Sequence, residues 1–548
     1  MKEPFESEIA ARIERLNRIG VSLSAESDIR RVLQMVLDGA RELTRADGAT
    51  LYLLEGEGRQ QQLRFDMMIT ESLGLAAGGP EQPPVPDNIP PVKLYNAAGE
   101  PDRHTVVGSA ALDQATLHIE DAYDDTRFDF SGTRAFDERT GYRSCSLLAV
   151  PMLDHRGKLM GVLQLLNRLS DAGEPEAFDA TDISLAESLA SQCAVSLSQR
   201  RLADEQRELF ESLVRLIAYG IDEKSPETGA HCRRVPVATM LIARYASASN
   251  WPEFANFHMS EQDIYELEMA AWLHDCGKIT TPVHVEQKGT RLQTVWDRIE
   301  LIETRMEILL RDARIRALAE RIGDDAERAG EDAPEVQQLR QWLETQRAFL
   351  QRCNAGGEGG DAGVSDRLKE ISAAGWRDMQ GETRTLISED ELYNLDIGRG
   401  TLNPEERKII QDHIVTTIKM LEQLPFPDHL KRIPEYAGGH HEWVNGKGYP
   451  NQLTRKQMSV PARIMAVADV FEALTAPERS YKSPMPLSKT LHIMGEMVER
   501  GHLDPDLFRL FVHEEIYMDY ARQHLSRAQI DTVDKAGLPG LEVRSVPV

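Results

Sequence analysis

Cysteine is scarce in this chain. Five occur in 548 residues (Cys145, Cys193, Cys232, Cys276 and Cys353), and no two have Cys-x-x-Cys spacing. That excludes a zinc ribbon and leaves no disulfide framework. Long apolar runs are missing too: no stretch of about 18 apolar residues reads as a membrane span. Met1–Glu8 lack the apolar centre of a signal peptide. Basic residues are in deficit, 63 against 89 acidic, for a net charge of −26. This charge argues against a nucleic acid polymer or an anionic membrane as partner, although a local basic pocket still suits a phosphate. A soluble cytoplasmic protein is the expectation. With 41% hydrophobic residues, the chain has material for sizeable cores and length for about three domains.

The first part alternates helix and strand signals. Ile9, Ile13, Leu16, Ile19 and Val21 recur mostly at helical spacing, and a second helix is expected over Ile29–Leu43. Ala49–Leu54 reads as a strand, and the Gly- and Pro-rich stretch from Gly74 to Pro91 as a loop. Ser146–Pro151 and Gly161–Leu166 flank the turn signal Asp154-His155-Arg156-Gly157, the pattern of a hairpin of central strands. The layout is that of an α+β sensor.

On Gly141–Met152 and Gly161–Arg168 this region resembles a GAF domain, over roughly residues 20 to 200. Cyclic-nucleotide-binding members carry an Asn-Lys…Phe-x-x-x-Asp-Glu signature. Here Arg168 replaces the lysine and Ile183 the final glutamate, so no cyclic nucleotide is assigned. A small-molecule GAF ligand and a ligand-free dimerising module stay open.

From about Ile183 to Asp222 the chain reads as one helix, without Pro and without Gly before Gly220. Leu202, Leu209, Leu213 and Leu216 follow coiled-coil spacing, which suits a parallel homodimer, although such stripes are more often ordinary core. Residues 291–400 differ in character. Ile299, Ile302, Met306 and Leu309, then Val336, Leu339, Leu343 and Phe349, predict a charged helical hairpin followed by a Gly-rich link, Asn354–Ser365. It holds no histidine, and a structural or dimer-contact role is its plainest reading.

Four segments carry chemistry. The first is His440-His441-Glu442-Trp443-Val444-Asn445-Gly446-Lys447-Gly448-Tyr449-Pro450. Another is His274-Asp275-Cys276-Gly277-Lys278, delivered by an apolar helix through Ile264, Leu267, Ala270 and Ala271. Glu227 and His231, four apart, share a helix face. Asp469 lies inside the apolar run Val467–Phe471, and a charge there needs a partner. Singly, each is more often a satisfied core residue. Together they point to a polynuclear metal site.

The set resembles the HD-GYP branch of the metal-dependent HD phosphohydrolases, over about residues 205 to 520. The expected architecture is multidomain. An α+β GAF sensor (1–200 with flanking helices) is joined by a long helix (183–222) to an all-α HD-GYP domain. That domain carries the 291–400 insert and is followed by an extension, 521–548. The resemblance implies metal ligands at His274, Asp275, His413, His440, His441 and Asp469. It adds Glu227 and His231 as in members with a third ion, giving two or three ions, iron or manganese. Lys278 and Asp275 are implied as catalytic. Substrate contacts are implied at Lys278, Arg479, Lys482, Gly448, Tyr449 and Pro450. The implied reaction opens cyclic di-GMP to pGpG, and on to GMP in three-metal members. A non-catalytic receptor, or a hydrolase of another cyclic dinucleotide or nucleotide, are the rivals. Asn445 departs from the family, which usually has aspartate there.

Overall fold

A computed structural model describes residues 2–26, 28–86, 89–224, 230–320, 333–356, 362–476 and 484–542. The chain divides into two compact units, Met1–Leu209 and Phe210–Val548. Among the described residues, no helix is long and apolar enough to cross a membrane.

The first unit is built on an antiparallel sheet. Its strands are β1 (Ala46–Glu55), β2 (Gln62–Thr70), β3 (Leu75–Ala77), β4 (Val92–Lys93), β5 (Leu117–Ile119), β6 (Leu147–Leu153), β7 (Leu159–Leu169) and β8 (Pro175–Glu176). The path is β3-β2-β1-β7-β6-β5, so β1 and β7 are central. Their register sets Leu51 against Leu163 and Ala49 against Leu165. These residues pack under Val32, Val36 and Leu37 of helix Ile29–Thr44 and under Leu189 and Cys193 of helix Ala180–Lys224. Period-2 alternation sends Tyr52 and Val162 to the other face, onto Val106, Val107 and Ala110. The stretch expected to be loop from Gly74 to Pro91 contains β3, paired to β2. Three residues are too short to show alternation.

The Asn167–Arg168 pair has a structural use here. Asn167, 2% exposed and at φ +52°, accepts from Cys145 N at 2.7 Å and donates to Arg143 O at 2.7 Å. Arg168 Nε lies 2.5 Å from the buried Asp182. These residues lock the β6–β7 end to the helix that follows, and that locking requires no ligand.

In the second unit, helices outside residues 291–400 surround a core containing Val235, Ile242, Leu267, Met465, Phe471, Met494, Phe508 and Phe511. Their ends follow capping chemistry. Ser260 with Asp263 and Asn403 with Glu406 form capping boxes on helices Glu261–Leu273 and Pro404–Glu422, and Ser459 caps Val460–Thr475. The extension after residue 521 packs Ile530, Val533, Leu538 and Leu541 on this core.

The 291–400 segment has a core of its own. Ile302 and Met306 of helix Ile299–Glu320 meet Val336, Leu343 and Phe349 of helix Pro334–Asn354, together with Leu368, Ile371 and Leu386. The expected helical hairpin is thus joined by further elements, including a short β-hairpin (Gly375–Arg377 with Thr383–Thr385). Its ends are cinched: the fully buried Arg291 donates to Leu395 O at 2.7 Å and Gly400 O at 3.1 Å.

Candidate metal centre

Five helices and a tight turn bring the candidate side chains together. Helix Glu261–Leu273 stops at His274, and Asp275 leaves helical geometry into a tight turn, Cys276–Thr280. That turn packs against helix Pro404–Glu422, which carries His413. Gly277 makes the approach possible, because a Cβ there would stand 2.0 Å from His413 O and 2.5 Å from Thr417 N. Its own N–H donates to Thr417 Oγ1 at 2.9 Å. His440 and His441 follow the short helix Ile433–Gly438; Asp469 projects from Val460–Thr475, and His231 opens His231–Ala248.

Asp275, 2% exposed, is the hub. One carboxylate oxygen faces His231 Nε2 at 3.4 Å and His274 Nε2 at 3.3 Å; the other faces His413 Nε2 at 3.2 Å. His231 Nε2 also stands 3.3 Å from His274 Nε2 and 3.2 Å from Asp469. His413 Nε2 and His441 Nε2 are 3.3 Å apart. Donor atoms of Asp275, His413, His440 and His441 lie within 4.8 Å of one another, as do those of His231, His274 and Asp275. Two groups of donors therefore share one carboxylate.

The rings are held in one tautomer. His274 Nδ1 donates to Ala271 O at 2.7 Å, His440 Nδ1 to Ala437 O at 2.6 Å, and His413 Nδ1 to Ile410 O. A carbonyl only accepts, so each Nδ1 carries the proton and each Nε2 lone pair faces inward. His440 Nε2 is buried with no hydrogen-bond partner, and Asp275 Oδ1 has none despite its nearness to His413. Lone pairs about 3.3 Å apart repel unless a cation lies between them. Bonds of about 2.1 Å at 90–109° separate neighbouring ligand atoms by about 3.0–3.4 Å, so these spacings fit transition-metal ions.

Charge states agree with that fit. Burial, with His274 beside it, pushes His440 down to about 4. Burial and His440 hold His441 well below its ordinary range. Burial would raise Asp275, yet Lys278, His274 and His231 hold it well below the carboxylate range, and His231 does the same for Asp469. Neutral imidazoles and ionised carboxylates are the forms that bind metal. Burial alone would lower His231, but Glu472, Asp275 and Asp469 raise it, so this corner attracts positive charge.

Glu472 is the residue that sequence reasoning passed over. It is fully buried, accepts from His231 Nδ1, and is held by Arg234 Nε at 2.5 Å. A carboxylate behind a candidate ligand imidazole orients it. Its only sequence signal is its position, one turn after Asp469 on the same helix.

The other expectations divide. Lys278 Nζ rests 2.5 Å from Asp275, at the centre's edge. Tyr449 stacks on the His441 ring at 4.8 Å, which makes it a clamp on a candidate ligand. Gly448 permits the close approach of that loop, since a Cβ would sit 2.2 Å from Trp443 N. Glu442 accepts from Asn451 N and Leu453 N at 2.6 and 2.8 Å and so ties the same loop. Pro450 follows Tyr449 in this loop. Glu227, Arg479 and Lys482 lie outside the described residues.

Residues 28–197 match the GAF domain model and residues 389–507 an HD domain model. A 3'3'-cGAMP-specific phosphodiesterase of Vibrio cholerae is 39% identical over 113 residues, 21% of this chain and 25% of that protein. A cyclic di-GMP phosphodiesterase of Pseudomonas aeruginosa is 42% identical over 73 residues, 13% of this chain and 17% of that protein. The match thus spans a quarter or less of each of these two relatives. The crystal structure of a GAF domain from an Acinetobacter phosphoenolpyruvate-protein phosphotransferase covers 36% of this chain and 98% of its own, at 18% identity and a TM-score of 0.26. This chain joins a GAF domain to a mostly helical HD domain.

Proposed function

We propose that the chain is a metal-dependent phosphodiesterase opening a 3'-5' phosphodiester of cyclic di-GMP to pGpG and then GMP. The carrying observation is the convergence of Nε2 lone pairs, tautomers fixed from behind, on the two oxygens of Asp275. His231, His274, Asp275 and Asp469 would hold one ion, and Asp275, His413, His440 and His441 a second, iron or manganese by the donor set and the family resemblance. Such ions supply a hydroxide at neutral pH and offset charge on the phosphoryl oxygens. A third ion would need Glu227.

The chain's residues do the rest. Carbonyls of Ala271, Ile410 and Ala437 keep the imidazoles aimed. Glu472 does the same for His231. Lys278 brings an ammonium to the centre, where it would meet phosphate charge as it develops. Tyr449 holds the His441 ring, and Gly448 brings the loop close enough for that. Arg479 and Lys482 are proposed for the second phosphate. The relatives' names favour 3'3'-cGAMP as a second reading, because the Vibrio cholerae match is specific for it.

The working form proposed is a homodimer through helix Ala180–Lys224. Leu202, Leu209, Leu213 and Leu216 are 53%, 61%, 50% and 63% exposed, so the leucine stripe is not core within this chain.

Turnover of cyclic di-GMP and 3'3'-cGAMP by iron- or manganese-loaded protein, with products separated over time, tests the reading. We expect pGpG, then GMP, and loss of activity by at least about 100-fold in Asp275→Asn. Tight binding without turnover by fully metallated protein would instead make this a receptor.

A further inference from the structure

The turn after His274–Asp275 is gripped from two sides. One grip is Gly277 on Thr417, between elements that carry candidate ligands. The other comes from the last residue of helix Ala180–Lys224. Half-buried Lys224 directs its ammonium at three backbone carbonyls: Lys278 O at 2.6 Å, Ile279 O at 3.0 Å and Thr281 O at 2.5 Å. All three N–H bonds are thereby used, and no carboxylate shares them among the described residues. Lys278 O also accepts from Thr281 N at 3.0 Å, and at a turn end, where carbonyls gather with partial negative charge, a lysine from elsewhere supplies both donors and positive charge.

The helix end that supplies Lys224 is firmly seated. Val214, Ala218 and Ile221 lie in the helical unit's core, and Asp222 accepts from Cys232 N at 3.3 Å. The same helix begins at Ala180, within the first unit. The turn it holds carries Lys278, whose ammonium sits on Asp275.

We infer that Lys224 is a positioning residue: it ties the end of the connecting helix to the Lys278 turn, so a shift or rotation of that helix moves Lys278 relative to the metal donors. Its consequence for turnover rests on the phosphodiesterase reading; the grip itself does not.

The test uses full-length protein carrying Lys224→Met, Lys278→Met or both. Amide exchange over residues 276–283 should quicken at least tenfold in Lys224→Met, while manganese stoichiometry stays at the wild-type value. The value of kcat should fall at least tenfold with KM changed less than threefold, and in the Lys278→Met background Lys224→Met should cost nothing further. Unchanged exchange in the turn, or losses that simply multiply in the double variant, would overturn the inference. If Lys224→Met does not fold, Lys224→Gln, with two N–H bonds in place of three, takes its place and should show a smaller change of the same kind. If wild-type protein turns over no cyclic dinucleotide, the functional reading fails and the exchange measurement still decides whether Lys224 holds the turn.

Discussion

At the scale of single residues, the site depends on small groups whose work is invisible in their chemistry. Gly277 is required because the helix bearing His413 passes where a side chain would be. Gly277→Ala should push that helix off the turn, an overpacking cost of about 1–3 kcal/mol or more, and separate Asp275 from His413. Metal analysis of purified protein should show the loss of at least one ion per chain relative to wild type. Glu472→Gln keeps the shape behind His231 and removes the charge. Manganese affinity should fall about 10- to 100-fold, measurable by titration; an unchanged affinity would remove Glu472 from the centre. Asn445 has an explanation too. Its Nδ2 donates to Arg500 O at 2.8 Å while its Oδ1 accepts from Lys447 N at 2.9 Å. An aspartate could make only the second bond. Asn445→Asp should therefore loosen the 444–450 loop by about 1 kcal/mol, seen as faster amide exchange there.

At the scale of elements, the helices that carry the candidate ligands are braced by buried charge. Asp504, 1% exposed, joins Arg455 Nε at 2.7 Å and Arg463, and so connects the loop after Pro450 with helix Val460–Thr475. Burial would raise Asp504, but Arg463 and Arg455 lower it below the usual range. Because the folded value lies below the unfolded one of about 3.9, its contribution is fully present above that pH. It disappears as pH falls through the depressed value. Asp504→Asn should flatten the acid limb of the helical unit's stability below about pH 4, followed by circular dichroism. The 291–400 segment is braced at its boundary. Lys288, 4% exposed, meets both oxygens of Glu406 at 2.7 Å, on the helix that carries His413. Lys288 precedes the segment and Glu406 follows it, so their bridge closes its base against a helix that carries a candidate ligand, and Lys288 Nζ also reaches Asn394 Oδ1 within the segment at 3.3 Å.

At the scale of the whole molecule, two features set behaviour. A net charge of −26 keeps the surface repulsive toward an anionic dinucleotide, so on the proposed function capture would rely on local cations and metal and should depend on ionic strength. The exposed leucine stripe on the connecting helix predicts association. Leu209→Lys with Leu213→Lys should halve the mass seen by light scattering without changing helical content, because both residues are already solvent-facing within one chain. A wild-type monomer would remove the dimer from the proposed function.

Much of this was legible in the order of residues, for local reasons. Helix and strand periodicity follow from 3.6- and 2-residue repeats, and the capping residues mark helix starts. Adjacent His440 and His441, taken with His274 and Asp275, point to metal chemistry by residue type, and the proposed centre builds on that reading. What the tertiary structure decided are relations between residues far apart in sequence. Asp275 lies between His231 and His413, 182 positions apart, and only packing brings both to one carboxylate. The same holds for Glu472 behind His231, Arg291 closing the insert, and Lys224 on the Lys278 turn. Each is a single polar group meeting a distant backbone or side chain, and no periodicity encodes such a meeting.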